Sequence, residues 1–127
     1  MKLLIDTHTF LWFITDSTKL SSDALDLLES DSDLLISTES LWEIAIKVSI
    51  GKLVLPQPYN KFIAQQLKVN SIDKLPIRLS HLTTVSTLPL HHRDPFDRLI
   101  ISQAIVESLS IVSADKAFDS YTIKRLW

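Results

Sequence analysis

Asp6, Glu43, Asp97 and Asp115 lie far apart in the chain, yet each falls where a helix is expected to begin or in its early turns. Asp6, Glu43 and Asp115 also closely follow an apolar, strand-like run. In an open α/β sheet the carboxyl ends of parallel strands and the helix starts beside them face one crevice. Carboxylates delivered there meet in space although they are dispersed in sequence. Such groups repel strongly unless something positive sits among them. A divalent cation is the simplest candidate, and ligands that are all oxygen suit magnesium or manganese.

Each acid also has an ordinary structural explanation. Asp6 and Asp115 can serve as N-caps. Glu43 completes a capping box, Ser40-Leu-Trp-Glu43, and stands four residues before Lys47, the favourable order for a helix ion pair. Asp97 complements a helix dipole, with Asp94 as the cap of that helix. No single acid points to catalysis; their shared placement does. Asp23, Asp26, Glu29, Asp31 and Asp33 cluster around a helix and turn expected at the opposite edge, and Glu107 sits late in its helix. Asp73 falls in a segment of less certain type, and Asp94 and Asp119 lie one turn from members of the quartet.

The elements that must position these groups read as follows. Lys2–Ile5 is a short buried strand and Thr7–Ile14 an apolar helix. Ser21 or Ser22 caps a helix to about Glu29, and Leu34–Ser37 forms a second strand. A helix follows over Thr38–Ile50, closed by Gly51, the only glycine, at the left-handed position beyond its end. Pro56 and Pro58 bracket a break before a helix over Lys61–Val69. Ile72–Leu79 reads as an edge strand, given Pro76, and Ser80–Leu88 as a short helix. Asp94-Pro95 opens the best-marked helix, with Leu99, Ile100, Ala104 and Ile105 inward. Leu109–Ser113 is a strand, Asp115–Ser120 a short helix, and Tyr121–Trp127 a last strand. Strands alternating with helices predict an α/β fold with a mostly parallel sheet between helical layers.

With 127 residues, 46% apolar and 22% charged, the chain is expected to form one domain over 1–127 with a sizeable core. It has no cysteine, which excludes disulfides and thiolate metal sites. The apolar start is broken by Asp6 and His8, and no run reaches membrane-spanning length, so a soluble, cytoplasmic protein is expected. The net charge of −2 argues against a simple electrostatic nucleic-acid binder. A metal-dependent nuclease is not excluded, because bound cations can neutralise both acids and phosphate. A P-loop or Rossmann nucleotide cradle is out with one glycine, and no Gly-flanked serine nucleophile appears. His8, His81, His91 and His92 lack zinc-site spacing; His91 and His92 are expected to shape the loop before Asp94 or to touch substrate. Trp12, Phe13, Trp42 and Phe96 fall on apolar helix faces and read as core.

Ile5-Asp6-Thr7-His8, Trp42-Glu43-Ile44, Gly51-Lys52-Leu53, His92-Arg93-Asp94-Pro95-Phe96-Asp97-Arg98 and Ser113-Ala114-Asp115 together resemble the PIN-domain proteins. Within that family the chain is most similar to the VapC-like toxins of bacterial type II toxin–antitoxin modules. The resemblance runs over essentially the whole chain, in the family's order and spacing. It implies an α/β/α sandwich, an endoribonuclease dependent on Mg²⁺ or Mn²⁺, a homodimer, and a cognate antitoxin in the active-site groove. Its acidic quartet falls on Asp6, Glu43, Asp97 and Asp115, leaving Asp94 mainly as a cap. Ser113 stands where the family often has threonine and keeps the hydroxyl.

The chemistry expected from that resemblance is hydrolysis of an RNA phosphodiester by metal-activated water, with one or two ions on Asp6, Asp97, Asp115 and Glu43. Arg93, Arg98 and Lys47 are candidate phosphate contacts or surface ion pairs. One rival is a non-catalytic PIN-like module that binds RNA or protein. A haloacid-dehalogenase-type phosphatase needs Asp-x-Asp after the first strand, but His8 takes the third place. A receiver domain needs an acidic pair there, also missing.

Overall fold

A computed structural model describes all 127 residues. The strands β1 (Lys2–Ile5), β2 (Asp33–Ser37), β3 (Ile72–Leu75), β4 (Ser110–Val112) and β5 (Arg125–Leu126) form one sheet in the order β3-β2-β1-β4-β5. Every neighbouring pair is parallel, with Leu4 opposite Leu35 on one side and Ile111 on the other. The helices are α1 (Thr7–Ile14), α2 (Ser22–Leu28), α3 (Thr38–Ser49), α4 (Tyr59–Val69), α5 (Leu79–Thr87) and α6 (Pro95–Glu107).

Side chains alternate across a strand, so a central parallel strand must be apolar on both faces. In β1, Leu3 and Ile5 point to the layer carrying Phe10 of α1, Ile44 of α3 and Phe62 of α4. Leu4 points the other way, onto Ile100, Ile101 and Ala104 of α6 and onto Phe118. Two cores separated by one sheet make a three-layer α/β/α sandwich, as expected. The order of strands reverses between β1 and β4, so the switch point of the sheet lies at the carboxyl ends of those two strands.

Local signals account for most boundaries. Gly51 (φ +74°) ends α3 with a Schellman pair: Lys52 N–H donates to Lys47 C=O at 2.9 Å and Gly51 N–H to Val48 C=O at 3.2 Å. Asp94 caps α6 ahead of Pro95, its Oδ1 accepting from Phe96 N at 2.8 Å and Asp97 N at 3.2 Å. Several expectations need correction. The helix-three cap is Ser37, whose hydroxyl accepts from Glu39 N at 3.1 Å, so Ser40 and Glu43 form no capping box. The edge strand β3 stops at Leu75, because Pro76 has no N–H to extend the ladder. The segment after Asp115 is a 3-10 turn over Lys116–Ser120, and the last strand shrinks to Arg125–Leu126. Tyr121, assigned to that strand, instead turns inward and is buried. Helix α4 starts at Tyr59, with Pro58 in the cap position.

Candidate active site

Asp6 follows β1 directly and caps α1, its Oδ1 accepting from Thr9 N at 2.8 Å. Its Oδ2 accepts from the Ser113 hydroxyl at 2.5 Å, a contact that joins the ends of β1 and β4. The same Ser113 oxygen accepts from Asp115 N at 3.0 Å, and Asp115 Oδ1 in turn caps the 3-10 turn through Ala117 N at 2.9 Å. Ser113 is fully buried and Asp6 nearly so. One hydroxyl therefore orients two acids of the quartet.

Glu43 reaches the same crevice from the second turn of α3. Its Oε1 lies 3.0 Å from the Thr7 hydroxyl, and its Oε2 lies 3.8 Å from Lys47 Nζ, the helix ion pair expected from their spacing. Asp97 arrives from the first turn of α6. The tightest grouping is His92, Asp97 and Asp115, one ligand atom of each lying within 4.8 Å of the others. Asp6 and Glu43 stand outside that trio, but both charges bear on Asp97. The crevice thus gathers all four acids in two tiers.

The electrostatics record the crowding. Asp97 is pushed up to about 7, by burial first, then by the charge of Asp94, with Glu43 and Asp6 adding and His92 opposing. Glu39, which drew no notice in the sequence, is fully buried beside them. Burial above all, then a hydrogen bond to Glu43 and the charges of Glu43 and Asp97, push it up to about 9, against a smaller opposing bond from Ser40. At neutral pH Glu39 is a protonated acid facing Glu43. Its Oε1 has no partner. Two neighbouring carboxyl groups, Glu39 and Asp97, both pushed towards their protonated forms by burial and by the surrounding acids, mark a crevice short of positive charge. Oxygen donors in such surplus would suit a hard divalent cation, and Asp6, Asp97, Asp115 and Glu43 are the carboxylates that could hold one.

The surroundings depart from expectation at Arg98, Trp42 and Trp12. Arg98 makes no approach to the crevice; its guanidinium donates to Pro89 C=O and Leu88 C=O, each at 3.0 Å, and braces the loop before α6. Trp42 is 58% exposed and meets Phe96 edge-on at 5.2 Å, a surface pair rather than core. His92 faces the acids, whereas His91 turns away and packs on Tyr121. Arg93 is exposed. A cavity of about 350 Å³ adjoins the acids, lined by Asp6, His8, Trp12, Ala114 and Asp115. Trp12, expected in the core, instead lines this cavity and is backed by Trp127, ring centroids 5.8 Å apart. A larger hollow of about 550 Å³ opens near Leu28, Leu34 and Ser71 at the other end of the strands, away from this chemistry.

A parallel sheet sandwiched by helices, with carboxylates converging at its switch point, is the architecture of an α/β/α protein whose site is built from acids. Residues 3–124 match the PIN domain family, and the chain belongs to it. It is 28% identical over 120 residues to Ribonuclease VapC22 of Mycobacterium tuberculosis, covering 94% of this chain and 91% of that protein. Among solved structures it resembles VapBC2 from Rickettsia felis bound to a DNA fragment from its promoter (TM-score 0.72, 17% identity, 99% of this chain and 98% of that one). It also resembles a toxin–antitoxin complex from Klebsiella pneumoniae (TM-score 0.65, 13% identity, 98% and 96%). No helix is long and apolar enough to cross a membrane.

Proposed function

We propose that this chain is a metal-dependent endoribonuclease, the toxin of a type II toxin–antitoxin module, working on Mg²⁺ or Mn²⁺. The observation that carries the reading is the meeting of Asp6, Glu43, Asp97 and Asp115 in one crevice, where burial and mutual repulsion hold Asp97 near 7. A divalent ion bound there would acidify a water and offset charge on the scissile phosphate. Around it the protein's own groups do the positioning. Ser113 and Thr9 N fix both oxygens of Asp6, Thr7 fixes Glu43, and Asp94 sets the start of the helix that carries Asp97. Glu39, keeping its proton, adds no further negative charge and orders Glu43 instead. His8 and Trp12 offer ring surface beside Asp6 and Asp115, which suits the bases of an unpaired strand.

The relative named as a ribonuclease supports RNA as the substrate, and the neighbours solved as toxin–antitoxin assemblies support a cognate antitoxin partner. We infer in addition that the chain forms a homodimer. The test is RNA cleavage by the purified chain in Mg²⁺, with EDTA, Asp6→Asn and Asp97→Asn as comparisons. Cleavage should vanish in all three while circular dichroism is unchanged. Full cleavage by both variants would refute the assignment, and cleavage in EDTA would refute the metal.

A further inference from the structure

His92 sits inside the acid cluster without being one of the acids, and the loop that carries it is tied down by side-chain hydrogen bonds. The Tyr121 hydroxyl accepts from His91 N at 3.0 Å and His92 N at 2.8 Å, and donates to Pro89 C=O at 2.8 Å. Arg98 braces the same loop, reaching His92 C=O at 3.4 Å as well as the carbonyls before it. The ring of His92 is further walled by Phe118, centroids 6.0 Å apart. These contacts hold the backbone on either side of His92 and, with it, the imidazole beside the acids.

The ring's two nitrogens have separate duties. Asp94 N–H donates to Nδ1 at 3.2 Å, so Nδ1 offers its lone pair and the hydrogen belongs to Nε2. Nε2 in turn lies 3.1 Å from Asp97 Oδ2 and 3.3 Å from Asp115 Oδ2. An Nε2 that bears hydrogen has no lone pair to give a metal. Ligation through Nε2 would need the hydrogen on Nδ1, where it would collide with Asp94 N–H.

We propose that His92 is a positioning residue that stays outside the metal's ligand shell and clamps Asp97 to Asp115 through its Nε2–H. The clamp brings together two acids 18 residues apart, one on α6 and one beyond β4, hydrogen-bonding Asp115 Oδ2 while standing 3.1 Å from Asp97 Oδ2. Asp97 Oδ1 accepts no protein hydrogen bond and so would remain available to a cation. Partners that orient metal-binding carboxylates in this way typically contribute 10–100-fold to metal affinity.

This inference rests on the metal-dependent reading of the site, and the two are separable by titrating Mn²⁺ alone into the full chain by calorimetry. His92→Ala should bind Mn²⁺ roughly 10–100-fold more weakly than the unaltered chain. His92→Gln, whose amide N–H reaches about as far as Nε2–H, should recover part of that loss. Pulsed electron paramagnetic resonance of the Mn²⁺-loaded unaltered chain should show no directly bound nitrogen, a readout that stands even if His92→Ala fails to fold. Equal affinity in the unaltered chain and the variants would overturn the clamp alone. Tighter binding by His92→Ala would overturn it too, exposing His92 as a competitor of the ion. A bound-nitrogen signal that disappears in His92→Gln would make His92 a ligand and equally end the proposal. Failure of the unaltered chain to bind Mn²⁺ would bring down the metal reading itself, and the clamp with it.

Discussion

Replacing Glu39 with glutamine should make the metal-free protein more stable, and increasingly so as pH rises. In the unfolded chain Glu39 ionises near 4.5, whereas in the folded crevice it keeps its proton up to about 9. Between those limits the native state binds the extra proton, so the sign of the linkage is fixed: stability falls as pH climbs, and below the unfolded value the penalty is gone. Each pH unit in that window costs about 1.4 kcal/mol, which reaches roughly 3 kcal/mol by neutral pH. Glutamine has the same shape, carries no charge at any pH and can still donate to Glu43, so Glu39→Gln should erase that slope. Asp97 drifts in the same direction between 3.8 and about 7, but it does so in both proteins and largely cancels. Urea unfolding in EDTA at a series of pH values from about 5 to 8 would measure the difference directly, and in a thermal scan 1 kcal/mol is worth roughly 3–6 °C for a chain of this size. Curves that agree near pH 5 and diverge steadily towards pH 8 are expected. Parallel curves would mean that Glu39 ionises normally, and the picture of a crevice starved of positive charge would fail with it.

Adding Mg²⁺ should raise the melting temperature most at the alkaline end of the same pH series, because the ion favours the charged forms that the empty crevice penalises; a Tm shift that is flat with pH would contradict this. Ser113→Ala leaves Asp6 Oδ2 and Asp115 N without their shared partner, and should cost about 1–3 kcal/mol together with at least tenfold in Mn²⁺ affinity, whereas Ser113→Thr should keep both; urea unfolding and calorimetry check the pair. Arg98→Lys should destabilise the protein by about 2 kcal/mol or more, since one ammonium cannot serve the carbonyls of Leu88 and Pro89 as a planar fork does; an unchanged unfolding midpoint would return Arg98 to the surface role its position in sequence suggests.

The contrast between what could and could not be read from the residues has one physical cause: the range over which each feature is decided. The start of α6 is settled within four residues, by Asp94 and Pro95, and the end of α3 by Gly51 alone, so both were legible. The apolar run of β1 has only one environment that satisfies it, a central parallel strand covered on both faces, and that placed Asp6 at the crevice. Asp97 and Asp115 followed from the same logic of strand ends and helix starts. Glu39 was invisible because a Ser-Thr-Glu run at a helix start reads as an ordinary first turn; its full burial comes from the packing of α3 into the fold, and the charges of Glu43, one turn on, and Asp97 of α6 then favour its protonated form. The Ser40-to-Glu43 spacing mimics a capping box, but Ser37 is the cap and the Glu43 oxygens go to Thr7 and Lys47. Trp42 and Arg98 failed in opposite directions for one reason. An apolar ring and a cation carry strong average preferences, yet Trp42 finds only Phe96 to lean on at the surface, while Arg98 finds a loop of unpaired carbonyls inside. His92 depends on Tyr121, 29 residues away, for its anchorage, and Asp6 depends on Ser113, 107 residues away, for its orientation. Local sequence can deliver an acid to the right edge of a sheet, but the partner that aims it comes from another strand or loop. The residues that hold the quartet in place are therefore harder to read than the quartet itself, and they are where substitutions will most sharply separate a working crevice from one that merely contains the right acids.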